Sequence, residues 1–264
     1  MTCNDEASPS LPTAHQAAVF LAEYASWLLG CGATCIRIEK NVDRMVAAFG
    51  MQGDITIMPS HVQVAVWRGD AADARMAVRK VQRRGISFDL NARLSRLSWE
   101  VADGKADYPA ARELFGLITL TRPTGKWEVL TLAGLANPAF CRLFGGDAVA
   151  MLLVFVSTLA GYRLKQLMLE AGRDVRLTFL CASFFSAAIS AGGHVFGWGT
   201  TPEIALGTSV LYLIPGVPYI NAVSDMMDRH YLCAFSRLVD AALLTACLSV
   251  GLCAGMLILG LRWF

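Results

Sequence analysis

The chain has 264 residues, 55% of them hydrophobic and 17% charged, with a mean hydropathy of +0.47, a charge content well below the roughly one quarter of an ordinary soluble protein. A net charge of +2 excludes the basic footprint of a nucleic-acid-binding protein. The charges divide the chain: residues 1–126 hold 15 of the 23 Lys+Arg and 13 of the 21 Asp+Glu, and residues 127–264 hold 8 of each. A polar half therefore precedes an apolar one.

Residues 1–12 read as a disordered tail, with Asp5, Glu6 and two prolines and no basic n-region of a secretory signal. The spacing of Ala18, Phe20, Leu21, Tyr24 and Leu28 predicts an amphipathic helix over 14–29. Residues 30–34 interrupt it, and Thr34 is placed to cap a second helix over 35–49 that Gly50 ends. Cys31 and Cys35, one helical turn apart, read as two reduced helix thiols, since no CxxC spacing or nearby His favours a metal or redox pair. Arg37, Glu39, Asp43 and Arg44 read as a solvated helix face. Residues 54–58, 61–67 and 76–82 alternate apolar and polar side chains between turn signals, which predicts a small antiparallel meander with one buried face. The basic run Arg79, Lys80, Arg83 and Arg84 suits either anionic headgroups or an edge strand protected against aggregation. Helical periodicity returns over 86–101 and over 108–120, the latter with Pro109 in its first turn. Residues 13–126 thus predict an α+β domain. It carries no nucleophile elbow, phosphate loop or dinucleotide fingerprint.

Residues 122–126 read as a hinge. Five apolar segments follow, at 127–144, 147–162, 175–197, 203–224 and 238–261; the first two are short for a bilayer core that takes about 20 helical residues. Arg163, Lys165, Arg173 and Arg176 fall between the second and third, and Arg229 and Arg237 between the fourth and fifth. Cytoplasmic loops collect Lys and Arg, so both connections, and the N-terminal domain with them, are expected on the cytoplasmic side. The end of the chain, Arg262 to Phe264, is then expected on the far side. Small residues on the third segment and the Gly251–Gly255 pair on the fifth suit close helix packing.

The fourth segment is the unusual one. Pro215 and Pro218 lack N–H groups and crowd the carbonyls of Leu211 and Ile214, and Ile214 and Val217 are pushed from the α region by the prolines that follow them. Two half-helices with an irregular elbow are expected. Freed carbonyls at membrane depth must be buried in protein or line a wet cavity. Beyond the elbow, Pro218, Asn221 and Asp225 share one helical face, an arrangement typical of transporter substrate or ion sites. A proline kink that serves packing alone is the competing reading. Asp240 lies one turn after Arg237 and suits either an interfacial ion pair or a proton-coupling role. Asn137-Pro138 is a candidate second break. Thr201 before Pro202 is placed to cap the fourth segment, and Arg142 either binds a carboxylate or snorkels to the interface.

Taken together, these residues resemble the threonine/serine exporter family, and within it the larger subunit of a split form whose other part is a short all-membrane protein. The matching pieces are Gly32-Ala33-x-x-x-Arg37, Phe88-Asp89-Leu90-x-x-x-Leu94-Ser95, Thr201-Pro202, Pro215-Gly216-x-Pro218-x-x-Asn221-x-x-x-Asp225, and Arg237. The likeness spans nearly the whole chain after the tail. It departs at Asp228-Arg229-His230, where many members have a small residue or Lys-Gly. The resemblance implies export of small hydrophilic metabolites across the bacterial inner membrane: threonine and serine for single-chain members, dicarboxylates such as succinate for the split pair.

The expected architecture is an α+β cytoplasmic domain followed by an all-α membrane domain of about five transmembrane helices, the fourth broken at Pro-Gly-x-Pro. The expected function is that of a proton-coupled secondary exporter subunit, working with a small all-membrane subunit as part of an oligomer in the lipid bilayer. It is expected to need no cofactor or metal, to perform no enzymatic step and to bind no nucleic acid. Its substrate and coupling residues are expected to be Pro215, Gly216, Pro218, Asn221, Asp225, Arg237, Asp240 and Thr201. The alternative is a non-transporting membrane sensor or scaffold with a ligand-binding cytoplasmic domain.

Overall fold

The computed structural model describes residues 11–82, 84–121 and 124–260; most of the expected tail, Arg83, part of the hinge and the C-terminal Arg262 to Phe264 lie outside the described residues. The fold is mostly helical, with a small three-stranded sheet near the N-terminus. It divides into two compact units. The first takes the described residues up to 121 together with 217–238, and the second takes 124–216 and the described residues from 239 onward.

In the first unit, α1 (Ala14–Gly30) and α2 (Cys35–Ala48) precede three strands, β1 (Gln52–Ile57), β2 (His61–Trp67) and β3 (Arg75–Lys80), followed by α3 (Phe88–Ala102) and α4 (Tyr108–Thr119). The strands form an antiparallel meander in the order β1-β2-β3, with Ile55 opposite Val64 and Val64 opposite Ala77. Period-two alternation places Val62, Val64 and Val66 of the central strand on one buried face. These valines share one core with Phe20, Leu21, Tyr24 and Leu28 of α1, Ile38, Val42 and Met45 of α2, and Leu94, Leu97 and Phe115 of α3 and α4. The Tyr24 hydroxyl donates to the Leu94 carbonyl (2.7 Å), and burial raises its pKa above the ordinary tyrosine value. The face expected to be solvated is only partly so: Arg37 and Asp43 are exposed, but three of its residues make side-chain contacts. Arg44 Nη1 donates to Asn41 Oδ1 (3.0 Å) and Ser98 Oγ (2.6 Å) and lies over the Trp99 ring, while Arg37 reaches Asn91 and Glu39 faces His230. Cys31 and Cys35 do not share a turn, because Cys31 caps the end of α1 and Cys35 opens α2. Later in the chain, the first unit also takes α9 (Gly216–Met227), from Val217 on, and the opening turns of α10 (Tyr231–Ile258).

The second unit is built from α5 (Lys126–Leu143), α6 (Ala148–Glu170), α7 (Val175–Val195), α8 (Pro202–Thr208), a 3-10 turn (Leu211–Leu213) and the rest of α10. Among the described residues three helices, α6, α7 and α10, are long and apolar enough to cross a membrane. A fourth arises if residues 202–213 and α9 count as one bent span. α5 is not among them, because Lys126, Glu128 and Arg142 put three charges into 18 residues.

Two local expectations are corrected. α6 runs on to Glu170 rather than stopping near Tyr162, since the run from Arg163 to Glu170 consists of good helix formers; Arg163 and Lys165 are therefore helical, not in a loop. α5 continues through Pro138 as one helix, so no second break forms. The lost backbone bond is local, and Asn137 is held by side-chain bonds on both sides, donating to Thr158 Oγ1 (2.7 Å) and the Thr208 carbonyl (3.1 Å).

Candidate functional site

The site grows from the end of α1. Residues 31–34 turn the chain, with Gly32 at φ +89°, a backbone region that L side chains rarely adopt. That turn presents the carbonyls of Gly32 and Ala33 beside the first N–H groups of α2. Thr34 occupies the N-cap position of α2, yet its side chain makes no capping bond. The capping acceptor comes from 190 residues away: the Cys35 N–H donates to Asp225 Oδ1 at 2.8 Å. A carboxylate at a helix N-terminus is favoured by the orphan N–H groups and by the helix dipole.

Asp225 is carried by α9 and is fully buried. Its other oxygen lies 3.3 Å from Arg237 Nε, and Arg237 Nη2 donates to the Ala33 carbonyl (2.7 Å). One helical turn before Asp225, Asn221 Nδ2 donates to the Gly32 carbonyl (2.8 Å). Three separate stretches therefore close on one another: the Gly32–Cys35 turn, the Asn221–Asp225 face of α9, and Arg237. Satisfaction is incomplete. Asp225 Oδ2 and Arg237 Nη1 are buried without a hydrogen-bond partner among the described residues. A buried pair held by charge and only part of its hydrogen bonds is costly to keep and costly to break.

Cys35 sits beside this pair. Its thiol pKa is pushed well above the ordinary cysteine value, first by a hydrogen bond with Cys233 and then by burial and the neighbouring Asp225 charge. Burial beside a carboxylate disfavours its thiolate. At the other end of the cluster His230 Nε2 lies 3.3 Å from Glu39 Oε1.

The remaining expected site residues stand apart from this cluster. The helix of the fourth apolar segment stops at Thr208; after the 3-10 turn, Ile214 is extended (φ −61°, ψ 123°), and α9 starts at Gly216. The interruption thus runs from Ser209 to Pro215, while Pro218 sits inside the first turn of α9, where a missing N–H costs little. The Gly216 N–H donates to the Ile214 carbonyl (2.8 Å), which leaves fewer N–H groups at the start of α9 than an open elbow would offer. Thr201 occupies the N-cap position of α8 but makes no capping bond; its Oγ1 accepts from the Asp147 N–H (2.9 Å). Asp147 caps α6 by accepting from Ala150 and also accepts from Thr200, and the Thr200 and Ala150 N–H groups hold its carboxyl below the usual aspartate value. Asp240 is partly buried on α10, in the second unit. Arg142 Nη1 donates to the Gly146 carbonyl (3.2 Å). Sequence reasoning missed the partners of Asp225 and Asn221, which are backbone groups of residues 32–35. The one available signal was the glycine-bracketed turn ahead of α2, which shares the stretch Gly32-Ala33-x-x-x-Arg37.

Residues 19–259 match the profile of a protein family described as "Putative threonine/serine exporter". The chain is 30% identical over 240 residues to the "Probable succinate transporter subunit YjjP" of Klebsiella aerogenes, covering 90% of this chain and 92% of that protein. It is likewise 30% identical over 239 residues to the protein of that name from Escherichia coli K12, covering 89% and 92%. A "Probable threonine/serine exporter" of Mycobacterium tuberculosis is 25% identical over 178 residues, 66% of this chain and 33% of that protein. No solved structure matches the chain.

Proposed function

Because the chain belongs to the threonine/serine exporter family, we propose that it is the larger subunit of a two-component secondary exporter of small carboxylate metabolites. Two relatives that align with nearly the whole chain are named for succinate and a partial one for threonine and serine, so a succinate-like dicarboxylate is the first substrate to test. Few apolar spans favour a shared pathway, and a short all-membrane subunit is the expected partner. Loop charges favour an inner-membrane protein with the N-terminal unit in the cytoplasm.

The buried Asp225 is the observation that carries this reading. Its charge is held by the Cys35 N–H and by Arg237, with the buried thiols of Cys35 and Cys233 alongside. Adding a proton to Asp225 would remove the ion pair and weaken the cap, freeing α9 from the turn at residues 32–35. That is the chemistry a proton-coupled exporter needs: one buried site whose charge state decides between two packings. Asn221 keeps α9 in register with the turn, and Arg237 supplies the counter-charge. Pro215, Gly216 and Pro218 keep the fourth segment from forming one rod, Thr201 fixes its far end, and Asp240 is the second candidate for coupling. The break lets α9 move without dragging a continuous helix through the membrane.

The test is efflux from proteoliposomes loaded with labelled succinate, threonine or serine, made with this chain, with a short all-membrane partner, and with both. The expected result is release of one substrate class when both subunits are present. Release equal to that of empty vesicles for all three substrates would overturn the reading.

A further inference from the structure

Lys165 differs from the other cations near it in the second unit. It lies within α6, partly buried, with Nζ 5.2 Å from the Tyr162 ring centroid and 5.1 Å from that of Phe179. Two neighbouring cations share a carboxylate: Lys126 Nζ is 3.0 Å and Arg163 Nη1 4.0 Å from Glu170 Oε1. Among the described residues no carboxylate pairs with Lys165. Cation–π contacts hold an ammonium by only about 0.5–2 kcal/mol, so its charge is positioned but not neutralised.

A line of hydroxyl groups leads away from that charge. The Tyr162 ring is 5.7 Å from the Tyr212 ring. The Tyr212 hydroxyl is 2.9 Å from Ser186 Oγ, which donates to the Ser157 carbonyl (3.1 Å). Ser190, one turn further along the same face of α7, is fully buried and its Oγ has no hydrogen-bond partner among the described residues. Gly161 provides the room, since a Cβ there would overlap Ser186 Oγ and the Tyr212 hydroxyl. Tyr212 itself belongs to the 3-10 turn that precedes the interruption at Ile214.

We propose that Lys165 anchors one carboxylate of a small dicarboxylate cargo, and that Tyr212, Ser186 and Ser190 take it up as it leaves that charge. The inference rests on the exporter reading above and adds the binding group. Ionisable residues inside membrane helices mark substrate and ion paths, and a partly buried ammonium without a carboxylate partner is relieved by an anion that comes and goes. Neutral hydroxyls can then hold the carboxylate without trapping it. An unbalanced cation also repels the ammonium of an amino acid, which selects the dicarboxylate.

The test is the KM for labelled succinate in proteoliposomes that contain both subunits. Lys165→Gln is expected to raise it about tenfold or more, a loss of at least ~1.4 kcal/mol, and Lys165→Arg to recover most of the affinity. In the wild-type complex, succinate is expected to slow acylation of Lys165 by an amine-reactive ester, read by mass spectrometry, which keeps the test independent of variant folding. An unchanged KM in Lys165→Gln, or acylation at one rate with and without succinate, overturns the inference while leaving the exporter reading intact. A wild-type complex that moves none of the three labelled substrates overturns the exporter reading itself, and the anchor with it.

Discussion

Two acceptors compete for the start of α2, and the distant one wins. Thr34 has the side chain that local rules favour for an N-cap, but it makes no capping bond, and the Cys35 N–H is taken by Asp225. A charge-assisted hydrogen bond is roughly twice as strong as a neutral one, and Asp225 also brings Arg237. The two residues should therefore behave in opposite ways. Asp225→Ala leaves Arg237 buried without its counter-charge and is expected to cost about 3–5 kcal/mol, while Thr34→Ala should change stability by less than about 0.5 kcal/mol. Thermal unfolding of the detergent-solubilised protein reads both; comparable losses in the two variants would contradict the assignment. Asp225 was legible in the sequence as an acid inside an apolar run. Its partner was not, because nothing in a sequence says which helix terminus a carboxylate will meet 190 positions away.

Helices and strands were legible where periodicity was strong. The three alternating runs became the meander, and the caps at Ser87 and Asp107 open α3 and α4 through side-chain bonds. Charge misled where it was taken to mean a loop: Arg163 and Lys165 lie in α6 because their aliphatic stems and propensities suit a helix. Pro138 misled in the same way, since one missing backbone bond did not end α5. The fourth segment shows how a break is stabilised. The helix stops at Thr208, and Asn137 of α5 donates to the carbonyl that this leaves. Asn137→Ala is expected to strand that carbonyl and the Thr158 hydroxyl and to cost about 1–3 kcal/mol, read as a fall in the unfolding midpoint. An unchanged midpoint would mean that the break needs no support from α5.

For the whole chain, the division into a polar and an apolar half could be read from where the charges lie. What could not be read is that residues 217–238 join the unit built around the sheet. Hydropathy places Ile220, Val223 and Met226 in an apolar run, but it reports which faces are apolar and not which partner covers the polar one. Asn221 and Asp225 on the opposite face settle that, through backbone groups of residues 32–35. Within the first unit, the helix that follows the break is held to the turn at residues 32–35 by Asn221 and the buried Asp225 carboxylate, and the account of coupling depends on that charge. It is tested most directly by efflux of labelled succinate from vesicles holding both subunits, measured across a range of internal pH for wild type and for Asp225→Asn. The account predicts a pH-dependent rate in the wild type and a rate near that of empty vesicles in the variant, with equal assembly of both complexes. Wild-type efflux from Asp225→Asn at every pH would contradict it.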